Sequence, residues 1–143
     1  MKVGLTGDIG SGKSTVLEMF QSRGFEALST DEVVHGLLRD DPDTIREVVA
    51  LLGGTVQADG GGLDRRRIGE VVFRNPERRS GLESILHPRV RRRWQGFLND
   101  RRGRDVVVEI PLLFEKNLES HFDYSVSVYS SFDAKLSRLR SRG

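Results

Sequence analysis

The segment from Gly7 to Thr15 constrains the fold of this chain more than any other part of its sequence. It reads GDIGSGKST and fills every fixed position of the phosphate-binding pattern G-x-x-x-x-G-K-[ST]. An apolar run that predicts a buried strand precedes it, and a helical pattern with apolar Val16, Leu17 and Phe20 follows it. A strand, a glycine-rich loop and a helix in this order predict a site for the phosphates of a nucleotide.

Each fixed position of this loop has a physical role. Glycine lets consecutive backbone N–H groups turn towards a phosphate, because a Cβ atom would obstruct the turn. We expect the Lys13 ammonium to reach the β- and γ-phosphates, where it would take part in catalysis, and the Ser14 hydroxyl to bind Mg²⁺. Asp8 is expected to point to solvent, away from the phosphates. The predicted ATP-binding residues of the loop are Gly7, Gly10, Ser11, Gly12, Lys13, Ser14 and Thr15.

The composition indicates a globular protein of one domain, or of one domain with an inserted subdomain. The chain has 143 residues, of which 36% are hydrophobic and 31% charged. It contains no cysteine, which excludes disulfides, thiolate zinc sites and cysteine nucleophiles. No apolar run approaches the roughly 20 residues of a membrane span, and the N-terminus lacks a signal-peptide pattern. We therefore predict a cytoplasmic protein that does not bind membranes, and we favour a monomer.

A basic block covers residues 64–104. It holds thirteen arginines against five acidic residues, although the whole chain has a net charge of only +2. Such a block suits a nucleic acid or a small molecule with several phosphates. Most of these arginines are equally explained as the solvated faces of helices.

The alternation of strand and helix patterns predicts an open, parallel α/β sheet. A long helical stretch lies between the second and third strands, so we expect an insertion at about residues 31–104 of a single domain spanning 1–143. The predicted strands are Lys2–Thr6, Phe25–Ser29, Val106–Ile110 and Asp123–Tyr129. The predicted helices are Lys13 to about Ser22, Asp31–Leu38, Thr44–Leu52, Asp64–Phe73, Pro76–Leu86 and Pro88–Leu98, with a last one beginning at Ser131.

Asp31 and Glu109 each follow or end a predicted strand. Phosphoryl transfer to a hydroxyl needs a group that accepts its proton, and the carboxyl ends of parallel strands line the ligand crevice. Asp31 is therefore a candidate base that we expect near the Lys13 loop, although it also precedes a helical pattern and could be an N-cap. Glu109 could support Mg²⁺, directly or through water, or could be a surface carboxylate.

Two further segments could contact a ligand or could have only a structural role. Residues 111–115 read PLLFE, an apolar run with one acid that suits either a wall for an apolar ligand arm or core packing. His87-Pro88 opens a predicted helix, where His87 could cap the helix or contact a phosphate. A lone histidine more often has a local structural role.

Six segments together resemble the dephospho-coenzyme A kinase family along essentially the whole chain. Residues 5–15 are similar to the family's LTGGIGSGKST, with Asp8 in place of a glycine. PLLFE at 111–115 is the most distinctive match. The others are residues 59–65, which resemble DGxLDR with one extra glycine, Phe73 and Pro76 in vFxxP, residues 82–88 in LExIxHP, and residues 138–142 in RLxxR.

The resemblance implies a P-loop NTPase-type sheet, similar to nucleoside monophosphate kinases, with an inserted helical substrate subdomain. It implies transfer of the ATP γ-phosphate to the ribose 3′-hydroxyl of dephospho-coenzyme A, the final step of coenzyme A synthesis, with Mg²⁺. Asp31 would be the base, and Arg142, in the lid, would bind ATP. The implied substrate-binding residues are Thr6, Asp31, Arg65, His87, Leu112 and Leu113.

Beyond Asp8 and the extra glycine, the chain departs from the family pattern in three further places. The family's DAD motif stands here as Ser29-Thr30-Asp31, which keeps only the second aspartate. The arginine usually found four residues further on is His35. Family members continue through a lid, a fifth strand and a final helix, so we expect the last strand and most of the lid to be missing here and activity to be impaired.

Two other classes of function remain open. The first is another small-molecule P-loop kinase, acting on a nucleoside or nucleotide. The second is a non-catalytic module that binds nucleotides or nucleic acid through the basic block. That block has no zinc ligands and no pattern of stacking aromatics, with only Trp94 in its most basic helix. We therefore expect no specific nucleic-acid partner.

Overall fold

The computed structural model describes residues 1–8, 11–111 and 113–129. This part of the chain alternates strands and helices, as the sequence pattern predicts. The strands are β1 (Lys2–Gly7), β2 (Glu26–Ser29), β3 (Val106–Glu109) and β4 (Tyr124–Val128). The helices are α1 (Lys13–Ser22), α2 (Thr30–Asp40), α3 (Pro42–Leu52), α4 (Arg65–Phe73) and α5 (Pro76–Asp100), with short 3₁₀ turns at Gly54–Val56 and Glu119–His121.

The four strands form one parallel sheet in the order β2-β3-β1-β4. The α/β prediction is confirmed, because every described pair is parallel and α-helices connect β1 to β2 and β2 to β3. Val106, Val107 and Val108 are completely buried, which explains their continuous β-branched run in a strand with a neighbour on each side. Glu109 ends this strand in register with Leu5 of β1 and Ser29 of β2.

The chain forms two compact units. The first consists of the described residues of segments 1–30 and 94–143 and contains the sheet. The second is the continuous segment 31–93, which interrupts the first in sequence and is mainly helical. That the insertion predicted at about residues 31–104 binds the acceptor stays a prediction.

The core of the first unit packs helix α1 against the sheet. Val3, Leu5 and Val107 form its buried centre, and Phe20 meets Phe25 edge-to-face with 5.0 Å between the ring centroids. On β1, a Cβ atom at Gly4 would lie 2.9 Å from the Phe122 ring, so the absence of a side chain there lets this ring reach the strand.

The core of the second unit consists of apolar residues from α2, α3, α4 and the first half of α5, together with Val56 of the 3₁₀ turn and Leu63 of the following loop. Helix α3 begins with an N-cap, Asp41, whose carboxylate accepts from the Thr44 backbone N–H at 3.1 Å and from its hydroxyl at 2.5 Å. The hydrogen bond from the Thr44 hydroxyl is the main reason that the pKa of Asp41 lies below its usual value. Thr44 itself is completely buried, so this cap is part of the core.

Helix α5 corrects the prediction of two helices separated at His87-Pro88. It runs unbroken from Pro76 to Asp100 with Pro88 inside it, so His87 does not open a helix. A proline removes the N–H that would reach the carbonyl four residues earlier and crowds the preceding turn. In that turn the Ile85 carbonyl accepts from Arg89 Nη1 at 2.9 Å, and burial of Leu86 in the core holds the helix together across the proline.

None of the helices in the described part of the chain is both long and apolar enough to cross a membrane.

Candidate functional site

The loop after β1 leads directly into helix α1. Gly12 is the N-cap of that helix, with φ 96° and ψ 22°, a left-handed conformation that favours glycine. Before it, the Ser11 N–H donates to the Asp8 carbonyl at 3.1 Å. Lys13 is the first residue of α1, and Ser14 and Thr15 follow in its first turn. The loop therefore ends at a helix N-terminus, whose free N–H groups and positive dipole end favour an anion.

Gly7 is required for a steric reason that the sequence pattern does not reveal. A Cβ atom at this position would lie 2.7 Å from the Val128 carbonyl oxygen of β4 and 2.8 Å from Ser11 Oγ. The first of these is backbone in a paired strand and cannot move aside without disturbing the sheet. Packing between β4 and the loop thus excludes any side chain at Gly7.

Lys13 and Glu109 form an ion pair at the carboxyl end of the sheet. Lys13 Nζ lies 3.9 Å from Glu109 Oε1, and the two side chains are only 16% and 13% exposed. The Thr30 hydroxyl donates to the Glu109 backbone carbonyl at 2.9 Å, which ties the end of β3 to the start of α2. Glu109 is therefore mostly buried beside the loop lysine and is not a surface carboxylate.

Asp31, His35 and Arg65 form a cluster within the second unit. Arg65 Nη2 donates to Asp31 Oδ1 at 3.2 Å, and Arg65 Nη1 contacts His35 Nε2. His35 Nε2 lies 3.7 Å from Asp31 Oδ2. All three side chains are about half exposed, at 58% for Asp31, 52% for His35 and 41% for Arg65, so the cluster is open to a ligand.

The N-cap alternative for Asp31 is wrong. Helix α2 begins at Thr30, and Asp31 lies within its first turn. Its carboxylate is directed to Arg65 instead of capping the backbone. The structure thus frees Asp31 for a role outside the helix, while the expected closeness of Asp31 to the Lys13 loop stays a prediction.

The start of α4 places Arg65 across from α2. The Asp64 carboxylate caps this helix by accepting from the Arg66 and Arg67 N–H groups at 2.9 and 3.2 Å. The preceding turn fits closely against α2, since a Cβ atom at Gly62 (φ +72°) would lie 2.8 Å from the Arg39 carbonyl oxygen. The Leu63 N–H donates to the Leu38 carbonyl at 2.9 Å, which fixes the two helices to each other.

The other predicted site residues belong to neither the Lys13–Glu109 pair nor the cluster of Asp31, His35 and Arg65. Thr6 is 6% exposed within β1, and His87 is exposed on α5. Leu113 is completely buried, as the core-packing interpretation expects for that residue, whereas Phe114 of the same segment is 45% exposed. Gly10, Leu112 and Arg142 lie outside the described residues.

One site residue was not identified as such from the sequence. His35 stood out only as a departure from a family pattern, yet the structure brings it together with Asp31 and Arg65. Its spacing of four residues from Asp31 was the signal that could have found it, because residues so spaced share one face of a helix. Within the residues that the structure describes, no group of three or more His, Cys, Asp or Glu side chains could hold a metal ion by itself.

Comparison with known proteins gives a consistent result. A family model described as Dephospho-CoA kinase matches residues 1–143. The Dephospho-CoA kinase of Geobacillus kaustophilus is 38% identical over 148 residues, covering 99% of this chain and 72% of the relative. The Dephospho-CoA kinase of Agrobacterium fabrum is 38% identical over 143 residues, covering 98% of this chain and 72% of the relative.

Solved structures agree with the fold. A crystal structure of a Thermus thermophilus protein matches with a TM-score of 0.80 at 33% identity, covering 100% of this chain and 72% of that one. The Dephospho-CoA kinase from Campylobacter jejuni matches with a TM-score of 0.66 at 20% identity, covering 99% of this chain and 95% of that one. At that identity the second match supports the fold alone.

Proposed function

This chain belongs to the dephospho-CoA kinase family, and from that premise we propose how its residues carry out the reaction. The protein is an ATP-dependent kinase that transfers the γ-phosphate of ATP to the ribose 3′-hydroxyl of dephospho-CoA, the final step of coenzyme A biosynthesis. The structural observation that best supports a kinase is the β1–loop–α1 unit, in which Gly12 turns the chain into a helix that begins with Lys13.

The ATP phosphates would be bound by the loop and the start of α1. The N–H groups there favour an anion, and Lys13, mostly buried beside the loop, would contact the β- and γ-phosphates. The Ser14 hydroxyl and the Glu109 carboxylate would hold Mg²⁺. This set of oxygen donors fits the ion, because Mg²⁺ takes few protein ligands and completes its shell with phosphate oxygens and water. Bound there, Mg²⁺ would neutralise charge on the phosphates.

The second unit would provide the acceptor site. Asp31 would accept the proton of the 3′-hydroxyl. As that proton leaves, the hydroxyl oxygen forms a bond to the γ-phosphorus, and the bond between the γ-phosphorus and the β,γ-bridging oxygen breaks. Arg65, which contacts Asp31 directly, would bind an anionic group of the acceptor.

A panel of acceptors tests the assignment. We expect the wild-type protein to bind dephospho-CoA and to transfer ³²P from [γ-³²P]ATP to it with a kcat/KM at least about 100-fold above that for AMP, CMP or adenosine. A site that hydrogen-bonds one acceptor would leave polar groups unpaired with another acceptor. Equal or faster transfer to a nucleoside or nucleotide would contradict the assignment, as would the absence of dephospho-CoA binding by calorimetry.

The Mg²⁺ site makes a separate prediction at Glu109. We expect Glu109→Gln to bind Mg²⁺-free ATP more tightly than wild type, because a negative charge beside Lys13 is removed. Mg²⁺ should strengthen ATP binding about tenfold less in this variant than in the wild type, because one ligand of the ion is lost. The measurement is the ATP Kd with and without Mg²⁺. Glu18→Gln, an exposed residue of α1, is the matched control and should leave both constants unchanged. An unchanged Mg²⁺ effect in Glu109→Gln would remove Glu109 from the site.

A further inference from the structure

We propose that His35 is a positioning residue of the acceptor site: as a neutral hydrogen-bond acceptor it holds the Arg65 guanidinium in place, so that the remaining Arg65 N–H groups face a phosphate of the acceptor. The proposal rests on the proposed function of Arg65 and Asp31. It gives a role to the histidine that replaces an arginine of the family pattern.

The Arg65 guanidinium contacts two side chains of one helix. Asp31 and His35 stand one helical turn apart on the same face of α2, and each takes one terminal nitrogen of the Arg65 guanidinium. With two partners on one rigid helix, the plane of the guanidinium is fixed relative to α2. A single partner would leave it free to rotate about that contact.

The contact between Arg65 and His35 requires one protonation state of the histidine. A guanidinium has only donors, so the His35 Nε2 atom that meets Arg65 Nη1 must accept the hydrogen bond. His35 is then neutral and carries its proton on Nδ1. Among the described residues, the charged groups in contact with His35 are Asp31 on its own helix and Arg65 on α4.

Arg65 keeps donors that neither Asp31 nor His35 takes. A guanidinium has five N–H groups, of which Asp31 and His35 take one each, and the remaining three suit the oxygens of a phosphate. The 41% exposure of Arg65 leaves them accessible. A cationic side chain at position 35 would offer no acceptor atom and would repel the Arg65 guanidinium, so it should weaken binding of the acceptor.

Substitutions at His35 distinguish positioning from simple packing. We expect His35→Leu to raise the Kd for dephospho-CoA about tenfold, and His35→Gln, whose amide oxygen can accept from Arg65, to stay within about threefold of wild type. His35→Lys should bind dephospho-CoA at least as weakly as His35→Leu, because its cation repels Arg65. The ATP Kd should remain unchanged in all three variants. Arg39→Leu, an exposed residue near the end of α2, is the control and should change neither constant.

A spectroscopic measurement tests the hydrogen bond without any ligand. The chain has three histidines, so ¹⁵N-labelled histidine gives few signals, and the His35 signals are identified by their loss in His35→Gln. At mildly alkaline pH we expect His35 to carry its proton on Nδ1 in the wild type. In Arg65→Leu it should shift towards the Nε2–H tautomer.

The outcomes separate this proposal from the proposed function. If the wild type binds dephospho-CoA and His35→Leu binds it equally well, or if His35 carries its proton on Nε2 in the wild type, the positioning role is overturned while the proposed function stands. If the wild type does not bind dephospho-CoA, the proposed function fails and the positioning role fails with it. Weaker binding in His35→Leu, rescue in His35→Gln and the Nδ1–H tautomer together support it.

Discussion

Asp31→Asn is expected to reduce phosphoryl transfer to dephospho-CoA by about 10²–10⁴-fold, the usual contribution of a general base. Asparagine keeps the shape of the side chain and an oxygen that can accept from Arg65 Nη2, so the cluster on α2 and α4 should persist. It cannot accept the hydroxyl proton, because an amide is far less basic than a carboxylate. The ATP Kd should stay within about twofold of wild type, since removing the base changes the transition state and not the binding of nucleotide.

The measurement is kcat with saturating ATP and dephospho-CoA, beside the Kd for each ligand. Glu32→Gln is the matched control, because Glu32 is the neighbouring exposed acid in the first turn of α2 and should leave kcat unchanged. Transfer by Asp31→Asn at the wild-type rate would contradict the role of Asp31 and would require another base.

Gly7→Ala is expected to weaken ATP binding by about 100-fold or more, because the added methyl group cannot be accommodated without moving β4 or the loop. Its Cβ would lie 2.7 Å from the Val128 carbonyl oxygen and 2.8 Å from Ser11 Oγ. Since β4 is paired with β1 from Tyr124 to Val128, the loop gives way more easily than the strand. A displaced loop no longer directs its N–H groups to a common phosphate.

Calorimetry of ATP binding and thermal unfolding of the same variant test this expectation. Gly96→Ala is the matched control, because a Cβ at that position of α5 would meet nothing within 4 Å and the helix would gain up to about 1 kcal/mol of stability. ATP binding by Gly7→Ala at wild-type strength, with the fold intact, would contradict the steric role of Gly7.

The local parts of the fold were predictable from the sequence. The β-branched run at 106–108 and the phosphate-binding pattern at 7–15 each carry their signal within a few consecutive residues. Strand β3 and the start of helix α1 at Lys13 lie where these signals predict them. The prediction of a helix boundary at Pro88 was wrong because a tertiary contact, not a local signal, decides the structure there. The rule that proline ends helices is local, whereas burial of Leu86 in the core is a tertiary effect that outweighs the lost hydrogen bond.

The sequence by itself determined a nucleotide-binding α/β protein, because the spacing of glycines, lysine and serine after a strand meets a requirement of backbone geometry. Only the tertiary structure decided which side chains meet. The pairing of Lys13 with Glu109 depends on the order β2-β3-β1, and the cluster of Asp31, His35 and Arg65 depends on how the turn at Gly62 fits against α2. Such contacts join residues far apart in the chain, and periodicity or propensity within a short segment carries no information about them.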